Sequence, residues 1–124
     1  MSPKRPVYLN LIQIRLPLPG IVSIMHRISG VLMVLAIPLA LYVLDLSLSG
    51  AEGYAQAAAI LDAVLVKLIL MVLTWSIMHH LFAGIRYLLI DIDIGVERDS
   101  TRKLAWGVLG ASIVMTLILW GGLW

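Results

Sequence analysis

The apolar and polar positions divide the chain into three long apolar runs joined by short polar stretches. The first runs from Ile21 to about Leu48, with an uncharged centre from Ile28 to Leu44. The second covers Leu68 to Ile90 and is interrupted only near its far end, by His79, His80 and Arg86. The third, Leu104 to Trp124, holds no charged residue, and Trp106, Trp120 and Trp124 stand near its two ends as interface anchors do. About 20 apolar residues in a helix cross a bilayer's hydrocarbon core, so each run reads as a spanning helix. Pro19-Gly20 marks the start of the first, and Ser47, Ser49, Gly50 and Gly53 mark its release. Pro38 is expected to kink it, because proline removes one backbone donor and crowds the preceding turn. Ahead of it, Pro3, Pro6, Pro17 and Pro19 forbid a continuous helix. Residues 1–20 therefore form an arm. Its Val7, Leu9, Leu11 and Ile12 either press on the membrane interface or a neighbouring protein, or belong to a solvated leader. In the first connector, Tyr54 and the run Ala57 to Ala59 suggest that part is already helical. The pattern predicts one all-α integral membrane domain over residues 1–124, with helical segments at about 21–48, 62–91 and 102–124.

Composition narrows the class. A chain that is 61% hydrophobic and 13% charged, with mean hydropathy +1.02, cannot present a soluble domain's surface. The formal charge is +2, and no Lys/Arg run exceeds two residues, which argues against nucleic-acid binding. The absence of cysteine excludes disulfides, thiolate metal sites and cysteine-held iron–sulfur clusters within this chain. The arm has no apolar core of the kind a cleaved secretory signal carries, so none is expected. Lys4, Arg5, Arg15 and Arg27 lie at the N-terminal side and Arg86, Arg98, Arg102 and Lys103 in the second loop, against Lys67 alone in the first loop. That asymmetry predicts a cytoplasmic N-terminus, or a matrix one in a mitochondrion.

Two polar stripes interrupt the apolar scaffold. Ser23, His26, Arg27 and Gly30 recur at helical spacing, so a hydroxyl, an imidazole, a guanidinium and bare backbone share one face. Arg27 offers a planar fork of donors to carboxylates, and Ser23 can bond a carbonyl oxygen. The plainer alternative has Arg27 snorkelling to headgroups and Ser23 capping the helix. In the second span His80, Gly84, Tyr87 and Asp91 form a like stripe, and Gly84 leaves room for a bulky planar ligand or a close helix. Ionisable groups at membrane depth are costly unless paired, so His80 reads either as a haem ligand or as the partner of a neighbouring helix. His79 points about 100° away, with Trp75, Ala83 and Arg86, and is expected to be a bystander or to support its neighbour from behind. At about 1.5 Å per residue, His80 lies about 15 Å from the cytoplasmic helix end and His26 about 7 Å, a depth gap of about 8 Å. That gap makes His26 a poor second axial ligand and suits contacts from His26 and Arg27 to haem propionates. The other ligand would then come from another chain, or be absent.

The pair Arg5-Pro6, the string Ser23-Ile24-Met25-His26-Arg27-Ile28-Ser29-Gly30 and the string His80-Leu81-Phe82-Ala83-Gly84-Ile85-Arg86-Tyr87-Leu88-Leu89-Ile90-Asp91 carry a family likeness. Together they make the chain resemble, over essentially its whole length, the cytochrome b membrane anchors of succinate dehydrogenase. The resemblance implies three spans that form a haem-binding bundle with a second membrane-anchor subunit, the two holding one haem b. It implies docking of an iron–sulfur subunit and a flavoprotein subunit, which contain the clusters and the FAD. Electrons from succinate would pass through them to ubiquinone, and this chain would be a non-flavin subunit with no succinate-oxidising chemistry of its own. By position, the resemblance implies that His80 is the axial haem ligand and that His26 and Arg27 contact the propionates. Ser23 and Arg27 fall at its quinone site, Gly84 beside the haem, and Arg5 and Pro6 in the arm that meets the soluble subunits. Tyr87 stands where some members carry a second histidine, and tyrosine can still donate to a propionate. The implied location is a bacterial inner membrane, ahead of a mitochondrial one. Two other readings stay open: a quinol–fumarate reductase anchor, in which cofactor potentials reverse the direction, and a haem-free helical scaffold.

Overall fold

The structure is a computed structural model that describes residues 13–123. Arg5, Pro6, Val7, Leu9, Leu11 and Ile12 of the arm, and Trp124, lie outside the described residues. Helix α1 spans Leu18–Leu48, three residues earlier at its start than the apolar pattern predicts. The reason is proline chemistry. Pro17 caps the helix in an extended conformation (φ −66°, ψ 153°), and Pro19 sits in the first turn, where a missing N–H costs no helical bond. The helix continues through Pro38.

Gly50, at φ 123°, turns the chain in a region open to glycine and leads into α2, Ala51–Asp62. Helix α2 is the helical part of the connector, and the segment expected from residue 62 begins at Val64. Ala63, extended at φ −61° and ψ 132°, separates α2 from α3, Val64–Asp91, and Lys67 Nζ bonds Asp62 Oδ1 across the break at 2.6 Å. A turn follows in which Asp93 (φ 60°) and Gly95 (φ 77°) adopt left-handed conformations. It is tied by Ile94 N–H donating to Leu89 O (2.9 Å) and by Thr101 Oγ1 donating to Gly95 O (2.7 Å). Helix α4 runs Arg98–Leu123, starting four residues before the expected segment.

Helices α1, α3 and α4 are long and apolar enough to cross a membrane, with mean hydropathies of 2.3, 1.8 and 1.9 in their most apolar stretches. Helix α3 packs against both α1 and α4. Where the three meet, the core is small: Val22, Ala83, Ala105 and Val108, flanked by Leu18, Phe82, Tyr87 and Leu109. Ser29, Ser76 and Ser112 are fully buried, whereas Val34, Leu39 and Leu117 are more than 60% exposed. This inverts a soluble protein because lipid tails solvate leucine as well as a core does. Helices then associate through small residues that let backbones approach. The buried hydroxyls are satisfied inside their own helices: Ser76 donates to Val72 O (2.9 Å), Ser112 to Leu109 O (2.9 Å) and Thr116 to Ser112 O (2.7 Å).

Ala83→Leu places a branched side chain where no space is exposed, and overpacking of this kind costs about 1–3 kcal/mol. The expected outcome is a lower thermal-denaturation midpoint of the detergent-solubilised protein, with Leu117→Ala, on the outer face, leaving the midpoint near that of the parent.

Candidate functional site

The two polar stripes meet where α1 and α3 pack. His26 and His80 stack face to face, their ring centroids 3.9 Å apart and their planes 15° apart. The expected depth gap of about 8 Å is therefore absent. Because α1 begins at Leu18, His26 stands eight residues into it, about 12 Å, and His80 stands eleven residues from Asp91, about 16 Å. The small remainder is close to the stacking distance. A glycine on each helix faces the crossing, and the one on α1 is needed for the approach. A Cβ at Gly30 would stand 3.1 Å from Cε1 of His80, and one at Gly84 would stand 3.9 Å from Nε2 of His26. Each helix carries a histidine and, four residues on, a glycine that faces the other helix's ring.

The hydrogen bonds of His80 define its tautomer. Nδ1 lies 3.1 Å from the main-chain oxygen of His26 and 3.2 Å from Ser29 Oγ. A carbonyl oxygen only accepts, so Nδ1 bears the hydrogen and donates. Ser29 Oγ donates its own proton to the same carbonyl at 2.8 Å, which leaves its lone pairs for Nδ1–H. The neutral ring then keeps a free lone pair on Nε2. His80 lines an apolar groove of about 1020 Å³ between α1 and α3, with His26, Arg27, Gly30, Met33 and Ile77 also on its walls. His26 covers one face of the His80 ring.

Ser23 and Arg27 lie one turn apart on α1, Ser23 partly buried and nearer the helix start, Arg27 exposed. Tyr87 meets His26 edge-on, with centroids 5.2 Å apart and planes at 71°. Its hydroxyl is buried with no hydrogen-bond partner. His79, expected as a bystander or a support for its neighbour, is fully buried, stacks on Trp75 with centroids 5.1 Å apart, and lies beside the Val22 backbone without closing a well-formed hydrogen bond. Arg86, counted by sequence among the charges of the second loop, is 4% exposed, because α3 extends to Asp91 and carries it inside the bundle. Its guanidinium lies 5.7 Å from the Tyr87 ring centroid. Ser29 is the contributor that stripe spacing passes over, since it stands one residue off the His26–Gly30 face. Its only signal in the sequence is a second hydroxyl residue beside Gly30.

Three helices apolar enough to cross a membrane, meeting at a polar crossing where His80 borders an apolar groove, define an integral membrane protein. The chain belongs to the succinate dehydrogenase/fumarate reductase transmembrane subunit family, which it matches over residues 1–119. It is 34% identical to the succinate dehydrogenase cytochrome b556 subunit of Coxiella burnetii, over 100% of this chain and 98% of that one. The corresponding subunits of Paracoccus denitrificans and Rickettsia felis are 32% and 31% identical, over 92% and 94% of this chain and 88% and 91% of theirs.

Gly30→Val drives branched carbons into the His80 ring and is expected to destabilise the α1–α3 contact by about 1–3 kcal/mol. Gly84→Ala adds a methyl at ordinary contact distance, 3.9 Å, and is expected to be tolerated. Denaturation midpoints of the two variants in one detergent check the difference.

Proposed function

We propose that this chain is the haem b-carrying membrane anchor of a succinate:quinone oxidoreductase. In this reading it passes electrons from flavoprotein and iron–sulfur partner subunits to ubiquinone in a bacterial inner membrane. The observation that carries the reading is the state of His80, whose Nδ1–H is held by the His26 carbonyl and Ser29 while Nε2 keeps its lone pair beside an apolar groove. Among the described residues no group of three or more His, Cys, Asp or Glu is assembled to hold a metal ion. One imidazole suits a porphyrin, which brings four nitrogens of its own and asks the protein only for axial ligands. The apolar walls suit the macrocycle, Gly84 makes room beside it, and His26, Arg27 and the unpartnered Tyr87 hydroxyl offer donors for its propionates. The Coxiella and Paracoccus relatives are named cytochrome b556 subunits, which supports the same group. When bound, haem supplies a one-electron store within the membrane.

His80 would hold the haem iron, and, because His26 covers its face, a second anchor subunit packed along the open side of the groove would supply the other protein ligand. Ser23 donates its hydroxyl proton to a quinone carbonyl, and Arg27, always charged, stabilises the negative charge that develops as the quinone ring is reduced. The basic residues Arg15, Arg27, Arg102 and Lys103 gather toward the end of the bundle that holds the start of α1 and the α3–α4 turn, so that end faces the cytoplasm. The soluble partners dock there and oxidise succinate, for which this chain has no chemistry of its own.

In the purified complex, His80→Ala is expected to lose the dithionite-reduced b-type α band, while His79→Phe, which keeps an aromatic ring against Trp75, retains it; equal losses overturn the ligand assignment. Ser23→Ala and Arg27→Ala are each expected to slow quinone reduction by about tenfold or more, with artificial-dye reduction by the soluble subunits preserved. Normal quinone turnover in both removes them from the quinone site.

A further inference from the structure

We infer that Ser29 is a positioning residue for the axial imidazole, its hydroxyl accepting from Nδ1–H of His80 and so setting the ring's tautomer, orientation and donor strength toward iron. The inference rests on the reading of His80 as the haem ligand. Most buried hydroxyls of this bundle serve only their own helix, as Ser112 serves Leu109 O and Ser76 serves Val72 O. Ser29 makes that local bond too, to His26 O at 2.8 Å, but its oxygen also lies 3.2 Å from a side chain on another helix. The three atoms Ser29 Oγ, His26 O and His80 Nδ1 form a closed triangle with edges of 2.8, 3.1 and 3.2 Å.

The donors and acceptors in that triangle have one consistent assignment. The carbonyl accepts twice, from Ser29 and from His80, and the serine proton is committed to the carbonyl, so Ser29 can only accept from Nδ1–H. Ser29 is fully buried. The adjacent Gly30 lets the ring come this close to the α1 backbone. The ring is thereby held on one edge by two acceptors and on one face by His26. An imidazole whose N–H donates to a strong acceptor is a more basic ligand at its other nitrogen, which favours ferric over ferrous iron. Removing the Ser29 hydroxyl leaves the carbonyl as sole acceptor and weakens the donor.

The test uses the whole complex, with haem content, the haem midpoint potential and the ferric electron-paramagnetic g values as readouts. Ser29→Ala is expected to keep haem but shift the midpoint potential upward and move the largest g value, and Ser29→Thr to restore both toward the parent. Ser76→Ala removes an equally buried serine hydroxyl that bonds only its own helix and is expected to change neither. Ser29→Cys, close in size but a poor acceptor, carries the same expectation as alanine should the alanine complex fail to assemble. An unchanged potential and g value in Ser29→Ala or Ser29→Cys, or an equal shift in Ser76→Ala, overturns the inference while leaving His80 as ligand. Retention of haem in His80→Ala overturns the ligand reading itself, and the inference with it.

Discussion

The structure depends on the close approach of α1 and α3, and that approach depends on a polar group finding a partner where there is no water. An imidazole at membrane depth is costly unless it is hydrogen-bonded. Here the partner is a main-chain oxygen, that of His26, 3.1 Å from Nδ1 of His80. A side chain reaches another helix's backbone only where nothing stands between them, which is why Gly30 faces the ring and why a fully buried serine stands beside it. The lack of side-chain bulk at the crossing is thus the condition for its chemistry. The same logic runs through the rest of the bundle, where Ala83, Ala105, Ser76 and Ser112 are buried and the large aliphatics face outward.

This inside-out packing also says where the chain is incomplete. None of the most apolar stretch of α1 is buried, compared with 17% and 22% for the corresponding stretches of α3 and α4. The open flank of α1 adjoins the groove that His80 lines. A lipid would solvate the aliphatic wall but bring no side chain to a haem held by His80. The proposed second anchor subunit would answer both needs with one surface, burying α1 and supplying the other protein ligand.

The three spans are legible in the sequence because a hydrophobic run of bilayer length is a one-dimensional signal, and the long stretches between caps leave few alternatives. The start of α1 is harder to read because prolines look like helix breakers, although in a first turn they sacrifice no bond. Starting the helix three residues late lowers the counted depth of His26 and separates two histidines that in fact stack. Periodicity places His26, Arg27, Gly30, His80 and Gly84 on the right faces, but it cannot say which face meets which neighbour. It therefore leaves the role of His79, the largest fully buried side chain among the described residues, undecided between two readings and counts Arg86 in a loop although it is buried. Ser29 lies off the stripe and becomes visible only when a second helix is placed against it.

The crossing also separates two electrostatic tasks that a single polar cluster would confuse. A ligand imidazole must stay neutral with one nitrogen free, whereas binding anionic propionates or stabilising a reduced quinone needs permanent positive charge. The acceptors for His80 are a carbonyl and a hydroxyl, neither of which carries charge. The charge resides on Arg27, one residue along from His26 and exposed at the groove, and a guanidinium does not lose its proton. His26 links the two through its backbone, which orients His80, and its ring, which covers His80 and meets the edge of Tyr87. His80 and the Arg27 cation therefore border the same groove with separate surroundings, because adjacent residues of α1 face different neighbours.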